Sequence, residues 1–219
     1  MTVDVTPFLE PRHCAVVVFE CQQMVLGDDG PFAGLVASAR ATVFRHLPGL
    51  LDAARAAGAA VVYCTVSGRP GGLGAAQVPL QDRLSAIGAS RPEPDRSIVA
   101  ELAPRDDDVI VDRTHGMSAF HGTELDTCLR ALRIETVLPT GVSANIGVVG
   151  TTIEAVNHGY RLVIPTDCIA ADPPEYGEQM MRFTYRHLGY LTTAAAVTAA
   201  WERYRAPASD PPSRGCLPL

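Results

Sequence analysis

The sequence predicts an α/β protein: a doubly wound, Rossmann-like parallel sheet of about six strands with helices on both faces. Three observations carry this. Short runs of β-branched and apolar residues recur along the chain, as strands buried on both faces require. Segments of helical periodicity alternate with those runs, and such alternation with right-handed crossovers builds a parallel sheet covered on both sides. Residues 138–147 join a strand end to a helix start through a sharp turn at Gly141, the place where ligands enter such sheets.

Taken in order, residues 1–13 form a polar lead-in and 15–19 the first buried strand. Residues 33–57 are Ala- and Leu-rich with helical periodicity; Pro48 starts a second helix or kinks the first, and Gly58 ends it. The second strand is 60–65. Residues 67–95, rich in Gly and Pro, make a long loop with one short helix over 80–87, and loops of this length often serve as binding loops or lids. Ser97 caps a short helix to Leu102, and 109–111 is the third strand. Thr123 caps a helix through Leu132, with Glu124 and Asp126 in a first turn where the helix dipole favours acids. A strand at 136–138, a helix at 147–157, a strand at 162–165 and a helix at 174–188 follow. In that last helix Met180, Met181, Phe183 and Tyr185 fit one packing face, a candidate subunit contact. A strand at 190–193 and a helix at 194–204 complete a single domain over 1–205. Four prolines in the fourteen residues 206–219 predict a disordered tail.

Composition excludes several classes of function. With 47% hydrophobic and 19% charged residues, the 219-residue chain reads as soluble and globular, with a sizeable core. A net charge of −6 gives no footprint for nucleic acid or an anionic membrane. No apolar run approaches the ~20 residues that span a bilayer. The N-terminus lacks a signal-peptide pattern, so a cytoplasmic location is expected. Six scattered cysteines predict free thiols, and neither a Cys pair nor a Cys–His pair has zinc-ligand spacing. The chain contains no lysine, all 18 basic residues being Arg, which removes every mechanism needing a lysine base or Schiff base. No Gly-x-Gly-x-x-Gly follows the first strand and there is no P-loop, so no cofactor is expected.

Four motifs stand in order on this framework: Glu20-Cys21-Gln22 at the end of the first strand, residues 118–125 (Ser-Ala-Phe-His-Gly-Thr-Glu-Leu) after the third, the elbow 141–147 (Gly-Val-Ser-Ala-Asn-Ile-Gly) after the fourth, and Gly159-Tyr160 leading to Pro165-Thr166-Asp167. Together, over roughly residues 14–200, they resemble the isochorismatase-like (cysteine hydrolase) superfamily. That resemblance implies the fold above, assembly as homodimers or larger homo-oligomers, a small-molecule substrate, and an Asp–Lys–Cys triad. The chain departs at each triad position. Glu20 stands for the Asp, Arg113 is the nearest basic residue to the Lys position, and Gly147 stands for the Cys. The Gly147 elbow resembles the branch of the family that has Gly there and cleaves a vinyl ether by protonation and water attack, with no acyl-enzyme. The resemblance also implies a cis peptide near Val142 and Ser143.

The expected site follows from these residues. Glu20, a carboxylate after five apolar residues, is the general acid/base; burial would raise its pKa and an adjacent Arg would lower it. Arg113 anchors a carboxylate or the transition state, although His115, two residues on, could supply the titrating group instead. Gly147 leaves room for substrate or water at the helix N-terminus. Gln22, Phe120 and His115 would shape the pocket, Val142 in the elbow would join them against the substrate, and Ser143 or Asn145 would line an oxyanion pocket. Cys21 and Cys168 fit as buried small residues. The expected activity is cleavage of a C–O or C–N bond in a small, polar, carboxylated substrate without a cysteine nucleophile. The alternatives are a ligand-binding pseudoenzyme of the same fold, or a hydrolase with a displaced nucleophile such as Ser143 or Cys21.

Overall fold

A computed structural model of the chain describes residues 4–28, 30–88 and 94–204. The expected tail at 206–219 lies outside the described residues. Seven strands build one open, wholly parallel sheet: β1 (Cys14–Phe19), β2 (Ala60–Val66), β3 (Val109–Arg113), β4 (Thr136–Val142), β5 (Arg161–Pro165), β6 (Ile169–Ala170) and β7 (Tyr190–Thr192). The order is β3-β2-β1-β4-β5-β7, with β6 pairing along the carboxyl end of β4. The chain therefore moves outward in one direction from β1 and then in the other from β4, and the reversal falls between these two central strands.

β1 is buried along its whole length, and its alternation feeds two cores. Val16 and Val18 face α2 (Ala33–Ala41), α3 (Val43–Ala57) and α9 (Ala194–Glu202), meeting Leu47, Leu51, Val197 and Trp201. Ala15, Val17 and Phe19 face α5 (Leu125–Ala131) and α6 (Gly147–Asn157), meeting Leu125, Leu129 and Val148. The same core takes in Tyr185, which ends a π-helical turn (Met181–Tyr185) between α7 (Pro174–Met180) and α8 (Arg186–Leu188). The expected helix face in this segment is split: Tyr185 is enclosed, whereas Phe183 is 61% exposed. Short α1 (Gln23–Leu26) and α4 (Pro79–Gly88) belong to the connections after β1 and β2.

Three local expectations are corrected. The break in the 33–57 stretch falls at Thr42, whose φ/ψ of −123°/−80° is non-helical, while Pro48 lies inside α3. Ser97 does not cap a helix. Its hydroxyl bonds Asp95, and the turn from Ala100 to Leu102 has no side-chain cap. β4 runs four residues beyond the expected 138, because Phe19↔Gly141 pairing carries the strand to the turn itself. Thr123 does contribute at α5, accepting the Leu125 N–H at 3.2 Å.

Candidate active site

In an open α/β sheet the crevice forms at the carboxyl ends of the strands where the order reverses. Here that point lies between the ends of β1 and β4. Glu20 follows β1 directly and Ser143–Gly147 follow β4. Arg113 ends β3, two strands away at ~4.8 Å per strand, a span that its long side chain bridges.

Glu20 sits in the left-handed region at φ +50°, uncommon for a residue with a Cβ, and its N–H donates to Cys64 O at 3.0 Å. Arg113 donates to Glu20 Oε1 through Nη2. The Arg113 side chain is 5% exposed and that of Glu20 21%. Arg113 Nε donates to Gly116 O at 3.1 Å, and its guanidinium stacks over the Phe19 ring at 4.7 Å from the centroid. Burial pushes the Glu20 carboxyl up from its ordinary 4.5, and this outweighs the opposing pull of the Arg113 charge and hydrogen bond.

The elbow is fixed from several sides. Gly141 has φ +97°, and a Cβ there would come within 2.3 Å of Phe19 O, so only glycine allows β1 and β4 this approach. The Val142–Ser143 peptide is cis, as the resemblance implies. Ala144 donates to Ala170 O at 2.8 Å, and its own carbonyl accepts the Tyr185 hydroxyl at 2.7 Å. Ser143 O accepts from Ile146 N and Val148 N, so one N–H at the start of α6 is already used.

Among the described residues, two buried side-chain polar atoms have no hydrogen-bond partner: Arg113 Nη1 and Asn145 Oδ1. The first is on the guanidinium that holds Glu20, and the second lies in the elbow after β4, two residues before Gly147. Buried polar groups are nearly always paired, so a donor and an acceptor left open call for an explanation.

Other expected site residues are placed differently. Phe120 stacks on His158 at 4.9 Å, beyond the carboxyl end of α6 and about 16 Å along its axis from Gly147. The loop after β3 takes it there by running down α6, through Ser118 to Glu154 and Ala119 N to Thr151. Val142 is fully buried in the core beneath α2 and α3. The Gln22 amide is fully engaged, accepting from Val66 N at 2.8 Å and donating to Val66 O at 3.2 Å and Arg96 O at 2.8 Å. His115 meets His121 edge-on at 5.4 Å, while its neighbour Gly116 supplies the carbonyl that holds Arg113. Cys21 is enclosed at 3% exposure, its thiol directed to Phe19 O and its pKa pushed up by burial.

Gly147 does not open onto free space. A Cβ there would lie 2.0 Å from Phe19 Cε1, so the ring occupies that volume. Sequence reasoning missed Phe19, taking it for an ordinary core residue. The available signal was a large aromatic before the acid, together with a glycine at the position where the resemblance implies a cysteine.

A profile of the isochorismatase domain matches residues 14–196. The chain belongs to the isochorismatase family. It is 29% identical over 209 residues to the ureidoacrylate amidohydrolase RutB of Rhizobium rhizogenes, covering 84% of this chain and 82% of that protein. A 95-residue stretch is 35% identical to the isochorismatase family protein YwoC of Bacillus subtilis, covering 43% of this chain and half of that protein's length. The crystal structure of a cysteine hydrolase from Pseudomonas syringae pv. phaseolicola superposes with a TM-score of 0.72 at 26% identity, over 89% of this chain and 94% of that one. The family is one of hydrolases, and the Rhizobium rhizogenes and Pseudomonas syringae relatives are named as such. No helix among the described residues is long and apolar enough to cross a membrane.

Proposed function

We propose that this isochorismatase-family chain hydrolyses a C–O or C–N bond in a small, carboxylated substrate without forming a covalent intermediate. The observation that carries this reading is the unpartnered Nη1 of the arginine that holds Glu20, together with the unpartnered Asn145 Oδ1 in the elbow after β4. Arg113 Nη1 offers a donor to a substrate carboxylate, and Asn145 Oδ1 offers an acceptor to a substrate N–H or O–H. Arg113 keeps its grip on Glu20 through Nη2 and so places the anchored substrate next to the carboxyl. In the C–N case water attacks the carbonyl carbon, ionised Glu20 takes the water's proton, and that proton passes to the departing nitrogen as the C–N bond breaks. In the enol-ether case Glu20 first protonates the double bond and water adds to the resulting cation, returning a proton to Glu20 as the C–O bond breaks. The amidohydrolase relative favours the C–N case. The Phe19 ring in the space at 147 supports the absence of a side-chain nucleophile. Assembly as a homodimer or larger oligomer is part of the reading.

Incubation with a panel of carboxylated ureido compounds, primary amides and enol ethers tests it by product formation. Replacing Glu20 by Gln is expected to lower turnover about 10²–10⁴-fold with ligand affinity largely kept. Undiminished turnover would remove the acid/base role, and a covalent adduct trapped in the intact mass would remove the non-covalent route. A second reading, a ligand binder without turnover, is favoured by the filled space at 147, and binding with no product at any pH would establish it.

A further inference from the structure

We infer that Phe19 determines which chemistry this site can run, because its ring takes the volume of a side chain at 147 and at the same time seats Arg113. The inference deepens the reading of a site without a side-chain nucleophile and rests on it. A Cβ on Gly147 would lie 2.0 Å from Phe19 Cε1, 2.7 Å from Cζ and 2.9 Å from Cδ1. Three ring atoms are involved, so no small torsion relieves the overlap. The ring is 1% exposed and belongs to the buried cluster that includes Val17, Val62, Ala144 and Val148, where close packing resists its displacement. Its backbone is equally confined, since a Cβ on Gly141 would lie 2.3 Å from Phe19 O and 2.8 Å from Phe19 N.

A face of the same ring carries the Arg113 guanidinium, 4.7 Å from the centroid. A stacked, desolvated cation of this kind is held in orientation as well as attracted. One aromatic residue thus links the first position of α6 with the cation at the end of β3. A ligand meets Arg113 from the Glu20 side, and position 147 contributes only backbone. The interlock is reciprocal: Phe19 requires glycine at 147, and glycine at 147 admits Phe19.

Urea unfolding of the full chain tests this through the sign of an interaction. In an unobstructed helix Gly→Ala raises stability; here Gly147→Ala is expected to lower the urea midpoint. Phe19→Val alone also lowers it by leaving a cavity. Added to Gly147→Ala, however, Phe19→Val is expected to raise the midpoint, because the second change removes the overlap made by the first. If Gly147→Ala does not fold, recovery of folding in the double variant supports the interlock equally. A Gly147→Ala protein as stable as wild type, or a double variant no better than Gly147→Ala, overturns the proposal.

A chemical readout separates a site role from packing alone. In Phe19→Val/Gly147→Cys, the introduced thiol is expected to react with iodoacetamide, seen as one more alkylation than Phe19→Val shows. The sulfur–carbon bond forms as iodide leaves and the thiol proton goes to solvent. A nearby cation favours the thiolate, so adding Arg113→Leu is expected to slow this alkylation at least several-fold. An unchanged rate would mean that the space under the ring does not face Arg113, and the proposal fails. These outcomes concern Phe19 alone; the turnover of wild type and Glu20→Gln decides the proposed function separately.

Discussion

Two arginine–carboxylate pairs lie at opposite ends of the sheet and are built differently. At the amino end, Arg55 grips Asp108 twice, Nε to Oδ1 at 3.2 Å and Nη2 to Oδ2 at 2.6 Å. Arg55 Nη2 also reaches the Tyr63 hydroxyl at 3.2 Å, and Nη1 lies 3.5 Å from Asp52. Asp108 takes the Arg105 N–H at 2.7 Å as well. A cavity of about 390 Å³, lined by Arg12, Arg55, Arg105 and Asp108 among others, opens beside this network. At the carboxyl end, Arg113 touches Glu20 through one nitrogen and leaves another unpaired. That cavity has the saturated pair in its wall, whereas the unsatisfied pair stands at the carboxyl ends of the strands. Open hydrogen-bonding capacity, more than empty volume, marks where a polar ligand gains by binding.

Deleting each arginine in turn separates the two pairs most directly. Arg55→Leu leaves Asp108, whose side chain is 3% exposed, without its counter-charge, and is expected to cost about 3–5 kcal/mol by urea unfolding. Arg113→Leu is expected to cost much less, because Glu20, already pushed toward its neutral form, takes up a proton instead. Its effect should appear in ligand affinity. A larger stability loss for Arg113→Leu than for Arg55→Leu would reverse the assignment of structural and functional pairs.

Gln22 sharpens the same contrast, since it stands at the site end but is saturated like the amino-end pair. Gln22→Leu removes three hydrogen bonds and strands the N–H and C=O of Val66, at an expected cost of about 2–4 kcal/mol. Equilibrium unfolding checks this, and a loss below about 1 kcal/mol, the net worth of a single hydrogen bond, would show that the segments after β1 and β2 hold together without it. The sequence placed Gln22 in the pocket from its motif position. What it could not show is that the amide turns to backbone on another strand.

That distinction runs through the whole site. Glu20 and Arg113 were legible because each directly follows or ends an apolar strand, and strand ends converge at one edge of a parallel sheet. The order of strands and helices was legible for the same reason: buried runs alternate with helical periods. Phe120 was misplaced because nothing local reveals that the loop after β3 descends along α6 through Ser118 and Ala119. The two-residue β6 carries no periodicity of its own and exists through its register with Gly141 and Val142. Phe19 was hidden for a further reason. Its effect depends on a glycine far along the chain, and an aromatic at a buried strand position is ordinarily core.

The Glu20 proton gives a weaker, pH-dependent signal. Burial raises the folded-state pKa of Glu20 above its ordinary 4.5. Between the unfolded and folded values the native state therefore binds more proton than the unfolded chain, so stability contributed by this group falls as pH rises through that window. The slope cannot exceed about 1.4 kcal/mol per pH unit, the limit for one proton. Other groups titrate in the same range, so the informative quantity is the difference between wild type and Glu20→Gln, in which only this proton is missing. Relative to Glu20→Gln, wild type should lose stability as pH increases from 4.5. Urea midpoints of both proteins across about pH 4–8 read the difference. An opposite slope would mean that the Arg113 contact outweighs burial and lowers the Glu20 pKa, which weakens it both as a base toward water and as a holder of the transferred proton.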